Sequence, residues 1–298
     1  MAPGFLAFTL YLVCFCHTVI ATPNATNFES SGLSWDPRLN PSVGNGYLAT
    51  TVYSDTVYVS GIFNGRGTTT PSHRARIPST AAIVVRSNLT SNATEELFSL
   101  NVEQGVFYHR LVVQNFTLEQ RIYAHRVHKH LLVTEISSQN NMRDTVSLFL
   151  TNVFGPPSAD IEFHRDDFPR KSQNDPKINT MSGYIRITEE PDSRREGVAV
   201  VWRDVPPRVL IKPSVQTQTL FFITAIATSL DAKDFVTKAR EAHAAAMEKP
   251  EELLKSHVQA WNEIWNAGRI EVEGNLTLAQ TISGSLYYTL RYVLIKTS

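Results

Sequence analysis

Cysteine is nearly absent. The 298 residues hold two, Cys14 and Cys16, both inside an apolar run near the start. Without that run the chain has no thiol, which excludes disulfide staples, cysteine catalysis and thiolate metal sites from the rest. A chain this long buries enough core without disulfides. Net charge is missing too: Lys+Arg and Asp+Glu are 28 each. That balance gives no electrostatic case for nucleic acid or an anionic membrane surface. The sequence contains no nucleotide fingerprint, no His-Glu-x-x-His and no Ser-His-Asp order. No cofactor is expected.

What is present begins with a targeting signal. Phe5 to Ile20 carries no charged residue, and Val19-Ile20-Ala21 puts small or β-branched residues where a signal peptidase reads. Residues 1–21 read as a cleaved secretory signal, with an uncleaved anchor as the alternative. Five Asn-x-Ser/Thr sequons follow, at Asn24, Asn88, Asn92, Asn115 and Asn275. Each implies a surface position and, together with the signal, a secreted or lysosomal glycoprotein with no membrane contact after cleavage.

The fold reads as mainly β. Tyr47–Tyr53 and Thr56–Phe63 are rich in β-branched and aromatic residues around Ser54-Asp55, a hairpin signal. Val57, Val59 and Phe63 fall on one face by period two; Tyr58 and Ile62 fall on the other. Asn64-Gly65 ends the run, and residues 64–78 read as a long loop. Strand-like runs then recur from Ala81 to Ile226, among them Glu95–Asn101, Phe116–Ala124, His130–Ser137, Tyr184–Thr188 and Thr217–Ile226. About twelve strands exceed one comfortable sheet, so two packed sheets over residues 22–230 are expected.

The period changes at Ser229. Ser229 or Asp231 can cap a helix to about Met247. Pro250 opens a second helix, whose stripe of Leu253, Leu254, Val258, Trp261, Ile264 and Trp265 ends at Gly268. Arg269–Glu273 alternates like a short strand. Thr277 and Gln280 form a capping box for a third helix with the stripe Leu278, Ile282, Leu286, Leu290 and Val293. That helix carries apolar groups on more than one face, which implies a truncated parent fold, or else packing back onto the sandwich.

Candidate chemistry is sparse. His125, His128 and His130 lie close in sequence, but on a strand His125 points away from the other two, poor geometry for a metal. The pairs Asp166-Asp167, Glu95-Glu96 and Glu189-Glu190 face opposite ways on a strand and cannot flank one glycosidic bond. Trp261 and Trp265 read as packing rather than sugar stacking. Asn64-Gly-Arg66-Gly reads as a turn.

Four segments resemble one known family. Asn45-Gly-Tyr-Leu-Ala-Thr, Asp55 to Gly65, Gln120-Arg-Ile-Tyr-Ala-His-Arg126 and Gly284-Ser-Leu-Tyr-Tyr288 resemble, in order, the family 65 glycoside hydrolases. The resemblance implies a galactose-mutarotase-like β-supersandwich, a helical linker over residues 231–268, and residues 269–298 as the start of a truncated (α/α)6 barrel. It implies inverting hydrolysis of an α-glucoside, by analogy with a branch acting on the glucosyl-galactosyl-hydroxylysine of collagen; an acid trehalase is the other candidate parent. The family's catalytic carboxylates lie beyond Ser298, so no catalytic residue is assigned. The resemblance also puts Asn64 and Arg66 at the border of the sugar site. The competing reading is a secreted, non-catalytic carbohydrate-binding or interaction sandwich.

Overall fold

The structure, a computed structural model, describes residues 25–89, 95–166 and 177–292. Alternating hydrophobicity builds a nine-stranded antiparallel sheet. Its strands lie in the spatial order Asn27–Ser30, Glu95–Asn101, Val106–Val113, Phe116–Ala124, Leu131–Asn140, Ser214–Thr228, Gly197–Arg203, Ile178–Ile185 and Ile161–Asp166. Three smaller sheets form a second layer. Arg208–Ile211, Val146–Asn152 and Ile83–Ser87 make one; Ser42–Gly44, Leu48–Thr51, Thr56–Val59 and Ile77–Pro78 another; Phe63–Asn64 pairs with His73–Arg74 as the third.

The period of two decides which layer each residue meets. Phe107, Ile122, Leu132, Val200 and Ile226 of the large sheet pack with Leu48, Val57, Val59 and Ile77 of the four-stranded sheet. Leu111, Phe116, Leu118 and Ile136 pack with Ile83, Leu148 and Ile211 of the three-stranded sheet. Their neighbours on the same strands point the other way: Val106, Tyr123, Val133, Ile223 and Ala225 meet the helices. The chain is therefore mainly β with both faces of its central sheet covered, as the apolar groups on both sides of the strands require.

The opening hairpin exists, with Leu48 opposite Val59. Its turn is longer than Ser54-Asp55, and Tyr53 rather than Asp55 takes the left-handed backbone, φ 59°. A bulky residue there is held from outside: the Tyr53 hydroxyl donates to Gln120 Oε1 at 2.8 Å and its ring meets Phe107 edge-on at 5.9 Å. The second strand stops at Val59 rather than Phe63, and residues 64–78 are not all loop, because Asn64 and Thr56 find partners at His73 and Pro78. The expected strand Tyr184–Thr188 is shifted to Ile178–Ile185. Gly183 sits mid-strand, where only glycine fits: a β-carbon there would stand 2.1 Å from the Glu162 carbonyl oxygen. The strand Ile161–Asp166 was not expected at all.

Three α-helices follow: α1, Phe235–Glu248; α2, Leu253–Ala267; α3, Leu276–Leu290. The caps differ from those expected. Asp234 caps α1 by accepting from Thr237 N at 3.0 Å, because Asp231 is engaged elsewhere. Asn275, not Thr277, caps α3 by accepting from Leu278 N at 3.0 Å. Arg269–Glu273 forms no strand, and Ile270 is exposed rather than packed on a sheet. α1 packs Phe235, Ala239 and Ala246 on the sheet. α2 buries Trp261 and Trp265, as its stripe predicts. α3 packs one face inward, with Tyr287 fully buried and its hydroxyl donating to the Ser42 carbonyl at 3.1 Å. Leu276, Leu278 and Tyr288 on other faces are exposed. Val293 lies outside the described residues, and no described helix is long and apolar enough to cross a membrane.

Candidate functional site

Two polar regions stand out, and the histidine segment builds the first. Residues 125–130 are not a strand. They close the turn between Phe116–Ala124 and Leu131–Asn140, with His125 N donating to Leu131 O at 2.9 Å. The faces expected for a strand therefore do not apply: the His125 and His128 rings are neighbours at 4.7 Å, while His130 turns to Asp231. Asn45 ties this turn to the opening hairpin. Its amide nitrogen donates to the carbonyls of His125 and Lys129, and its oxygen accepts from Tyr47 N and Leu48 N, all at 2.9 Å.

His125 is fully buried and fully used. Its Nδ1 accepts from His128 N at 2.9 Å, so Nε2 carries the proton toward the Leu253 carbonyl, also at 2.9 Å. Burial, aided by His128, pushes its pKa down to about 3. His257 is buried beside it and shifts the same way for the same reason; its Nδ1 accepts from Arg126 N at 3.1 Å. These are neutral structural histidines. Among the described residues no group of three His, Cys, Asp or Glu could hold a metal.

Asp231 is the second anchor. It accepts from Lys129 Nζ at 2.8 Å, from Thr228 N at 3.0 Å and from the hydroxyls of Tyr47 and Thr228. His130 Nε2 stands 3.3 Å away without hydrogen-bond geometry. Burial alone would raise the Asp231 pKa, but His130, Lys129, Tyr47 and Thr228 together hold it far below the usual carboxylate range. Outside the histidine turn, α1 and α2 border a groove of about 950 Å³ with Arg126, Lys129, Lys238, Lys249 and Glu252 on its walls.

The second region lies at the loop flagged in sequence. Asn64 is buried, and its side-chain oxygen accepts from Ile187 N at 3.0 Å while Gly65 N donates to Ile187 O at 2.7 Å. Arg66 is exposed. Gly65 is required by close approach: a β-carbon there would lie 2.0 Å from the Thr188 carbonyl oxygen. Gly65→Ala should therefore cost about 1–3 kcal/mol and speed hydrogen exchange of the Ile187 amide. Unchanged stability and unchanged exchange would show that the loop is not docked there.

Buried Asp160 packs against the far end of this loop and meets Arg76 and His73. Arg76 donates to it through its backbone N at 2.9 Å and Nε at 3.0 Å. His73 Nε2 lies 3.1 Å from its other oxygen, and His73 Nδ1 faces the Pro71 carbonyl at 2.8 Å. Both ring nitrogens face acceptors, so the His73 pKa rises, chiefly through Pro71 and then Asp160. A cleft of about 630 Å³ opens beside them.

The remaining sequence candidates are dispersed. Asn88, Asn115 and Asn275 are exposed, Asn115 in the turn between two strands; Asn24, Asn92 and Asp167 lie outside the described residues. Glu96 faces His109 at 2.9 Å, and Glu189 and Glu190 are exposed. Trp261 and Trp265 are buried and offer no face to a sugar. Asp231, Asp160 and His257 carry no local sequence signal, because each acquires its partners from distant segments.

A solved structure shares the fold. A solved chain from the human microbiome, provisionally named kojibiose phosphorylase, matches 91% of this chain and 43% of its own length, with TM-score 0.58 and 11% identity. In sequence, the chain is similar to proteins named protein-glucosylgalactosylhydroxylysine glucosidase. The Mus musculus protein is 31% identical over 268 residues, 88% of this chain and 37% of that protein; the Dictyostelium discoideum protein is 28% identical over 262 residues, 84% and 35%. The chain thus spans about a third of the length of the curated relatives it matches. No family profile matches it.

Proposed function

We propose that this chain is the N-terminal part of a glycoside hydrolase that releases glucose from the glucosyl-galactosyl-hydroxylysine of collagen. The reaction would be inverting hydrolysis of an α-glucoside, with both catalytic carboxylates outside these 298 residues. The observation that carries this reading is 31% identity to the mouse glucosidase across 88% of the chain. The carboxylates support it. An inverting site needs two carboxyl groups flanking an open, water-holding gap of about 6.5–9.5 Å. The buried acids among the described residues are committed: Asp231 and Asp160 as described, and Glu135 to the Tyr123 hydroxyl at 2.5 Å and to Arg121 at 3.3 Å. In this reading residues 22–230 are a sandwich domain, 231–268 a helical linker and 269–298 the opening of the catalytic barrel. In the same reading the protein passes through the secretory pathway, which the apolar leader 1–21 and the five sequons support.

The test compares the purified 298-residue chain with the complete product of its gene. The complete product is expected to release glucose from glucosyl-galactosyl-hydroxylysine with inversion at the anomeric carbon, followed by proton NMR, and the 298-residue chain none. Turnover by the 298-residue chain alone, or none by the complete product, overturns the proposal.

A further inference from the structure

The cleft beside the Asn64–Arg76 loop has an unbalanced charge. It is lined by Arg74, Arg76 and Arg291, by His73, and by the hydroxyl-bearing Thr70, Tyr58 and Tyr292, with no carboxylate on its wall. Asp160 behind it is already shared between Arg76 and His73. Arg74 and Arg291 have no acidic partner among the described residues.

Arg291 is the more informative of the two. It is 8% exposed, at the end of α3. One terminal nitrogen donates to Ser42 Oγ and the other to the Tyr292 hydroxyl at 3.1 Å. Its Nε is buried and has no hydrogen-bond partner. Two of its five N–H groups are used in these bonds, which leaves others on the terminal nitrogens to meet an incoming acceptor. The aromatic rings hold the cations in position: the Arg291 guanidinium lies 4.5 Å from the Tyr288 centroid and 4.9 Å from that of Tyr292, with Arg74 at 5.7 Å from Tyr292. Guanidinium forks set this way match the planar or tetrahedral oxygens of an oxyanion.

We infer that this cleft is a binding site for an oxyanion carried on a sugar or polyol, the anionic group seated between Arg74 and Arg291 and the sugar hydroxyls meeting Thr70 and Tyr58. A space of about 630 Å³ exceeds what a bare inorganic anion needs and falls within the usual range of small-molecule sites. The site rests on this geometry and not on the glucosidase reading; the complete enzyme could lack collagen activity and still bind here.

The test is calorimetric titration of the 298-residue chain with glucose 6-phosphate, glucuronate, glucose and inorganic phosphate. Glucose 6-phosphate and glucuronate are expected to bind with Kd of about 0.1–1 mM, weakening as salt rises. Glucose should not bind, and inorganic phosphate should bind at least tenfold more weakly than glucose 6-phosphate. Arg74→Gln, at an exposed position, should weaken glucose 6-phosphate binding at least tenfold with Tm unchanged. Arg66→Gln, outside the cleft wall, should leave it intact. Tyr292→Ala provides a second variant and should also weaken binding. The inference is overturned by no binding of either anionic sugar, by equal binding of inorganic phosphate and glucose 6-phosphate, or by an unaltered Kd in Arg74→Gln.

Discussion

Trp261→Ala should lower the unfolding free energy by about 3–5 kcal/mol, the range for a fully buried large aromatic. Trp261 is 0% exposed and joins three parts of the chain. Its indole lies against Gly105 in the turn between Glu95–Asn101 and Val106–Val113, where an added β-carbon would stand 2.3 Å from its Nε1. The Arg126 guanidinium lies 4.9 Å from its ring, and the Tyr287 ring of α3 lies at 5.3 Å. Truncation leaves a cavity, uncovers a buried cation and loosens the contact between α2 and α3. Urea unfolding of the variant against the parent measures the loss. Trp261→Phe keeps most of the volume and should cost clearly less. A loss below about 1 kcal/mol for the alanine variant would mean that α2 is not seated on the sheet.

Acid is the second large effect. His125 and His243 are buried neutral, with pKa values pushed down to about 3 and about 4, in both cases chiefly by burial. Unfolding returns them to about 6.5, so protons bind the unfolded chain preferentially. Their stabilising effect is complete above pH 6.5 and is lost as pH falls from there toward 4. At pH 5 each group costs about 2 kcal/mol, 1.5 units at about 1.4 kcal/mol per unit. Together they remove about 4 kcal/mol from a stability of order 5–15 kcal/mol. His257 shifts in the same direction and adds to the loss. His73 has the opposite sign, since its pKa is raised, but its side chain is about a third exposed and its share is small. Asp231 and Asp160 are held low, so their contribution is present above about pH 3.8 and lost below it, giving a second fall. Urea midpoints at pH 7.5, 6 and 5 provide the measurement, and His243→Leu should flatten the profile between 6.5 and 5. Equal stability at pH 7.5 and 5 would refute the neutral-histidine account.

Much of this was legible in the sequence for identifiable reasons. Glu95–Asn101 and Phe116–Ala124 are found where their β-branched and aromatic residues put them, and successive side chains of Phe116–Ala124 turn to opposite layers. The stripe of α2 points Trp261 and Trp265 inward, as helical spacing requires. The misses share a cause. Tyr53 in the left-handed region, Asp231 diverted from capping, and Gly183 inside a strand all depend on groups far away in sequence: Gln120, Lys129 and Glu162. The Arg269–Glu273 alternation fails in the other direction, since a strand pattern needs a partner strand and this segment pairs with none.

The same division holds for the sites. By itself the sequence determined that this is a mainly β chain whose two cysteines both lie in its first 16 residues, with the change to helices near residue 230 and a likeness to family 65 glycoside hydrolases, because periodicity, composition and motif order are local properties. The tertiary structure alone decided that His125 is locked neutral under α2, that Asp160 orders His73 and Arg76, and that Arg74 meets Arg291 in one cleft. Those pairs lie up to 217 residues apart in the chain, and only the closing of the sheets and the docking of the helices bring their charges within reach of one another.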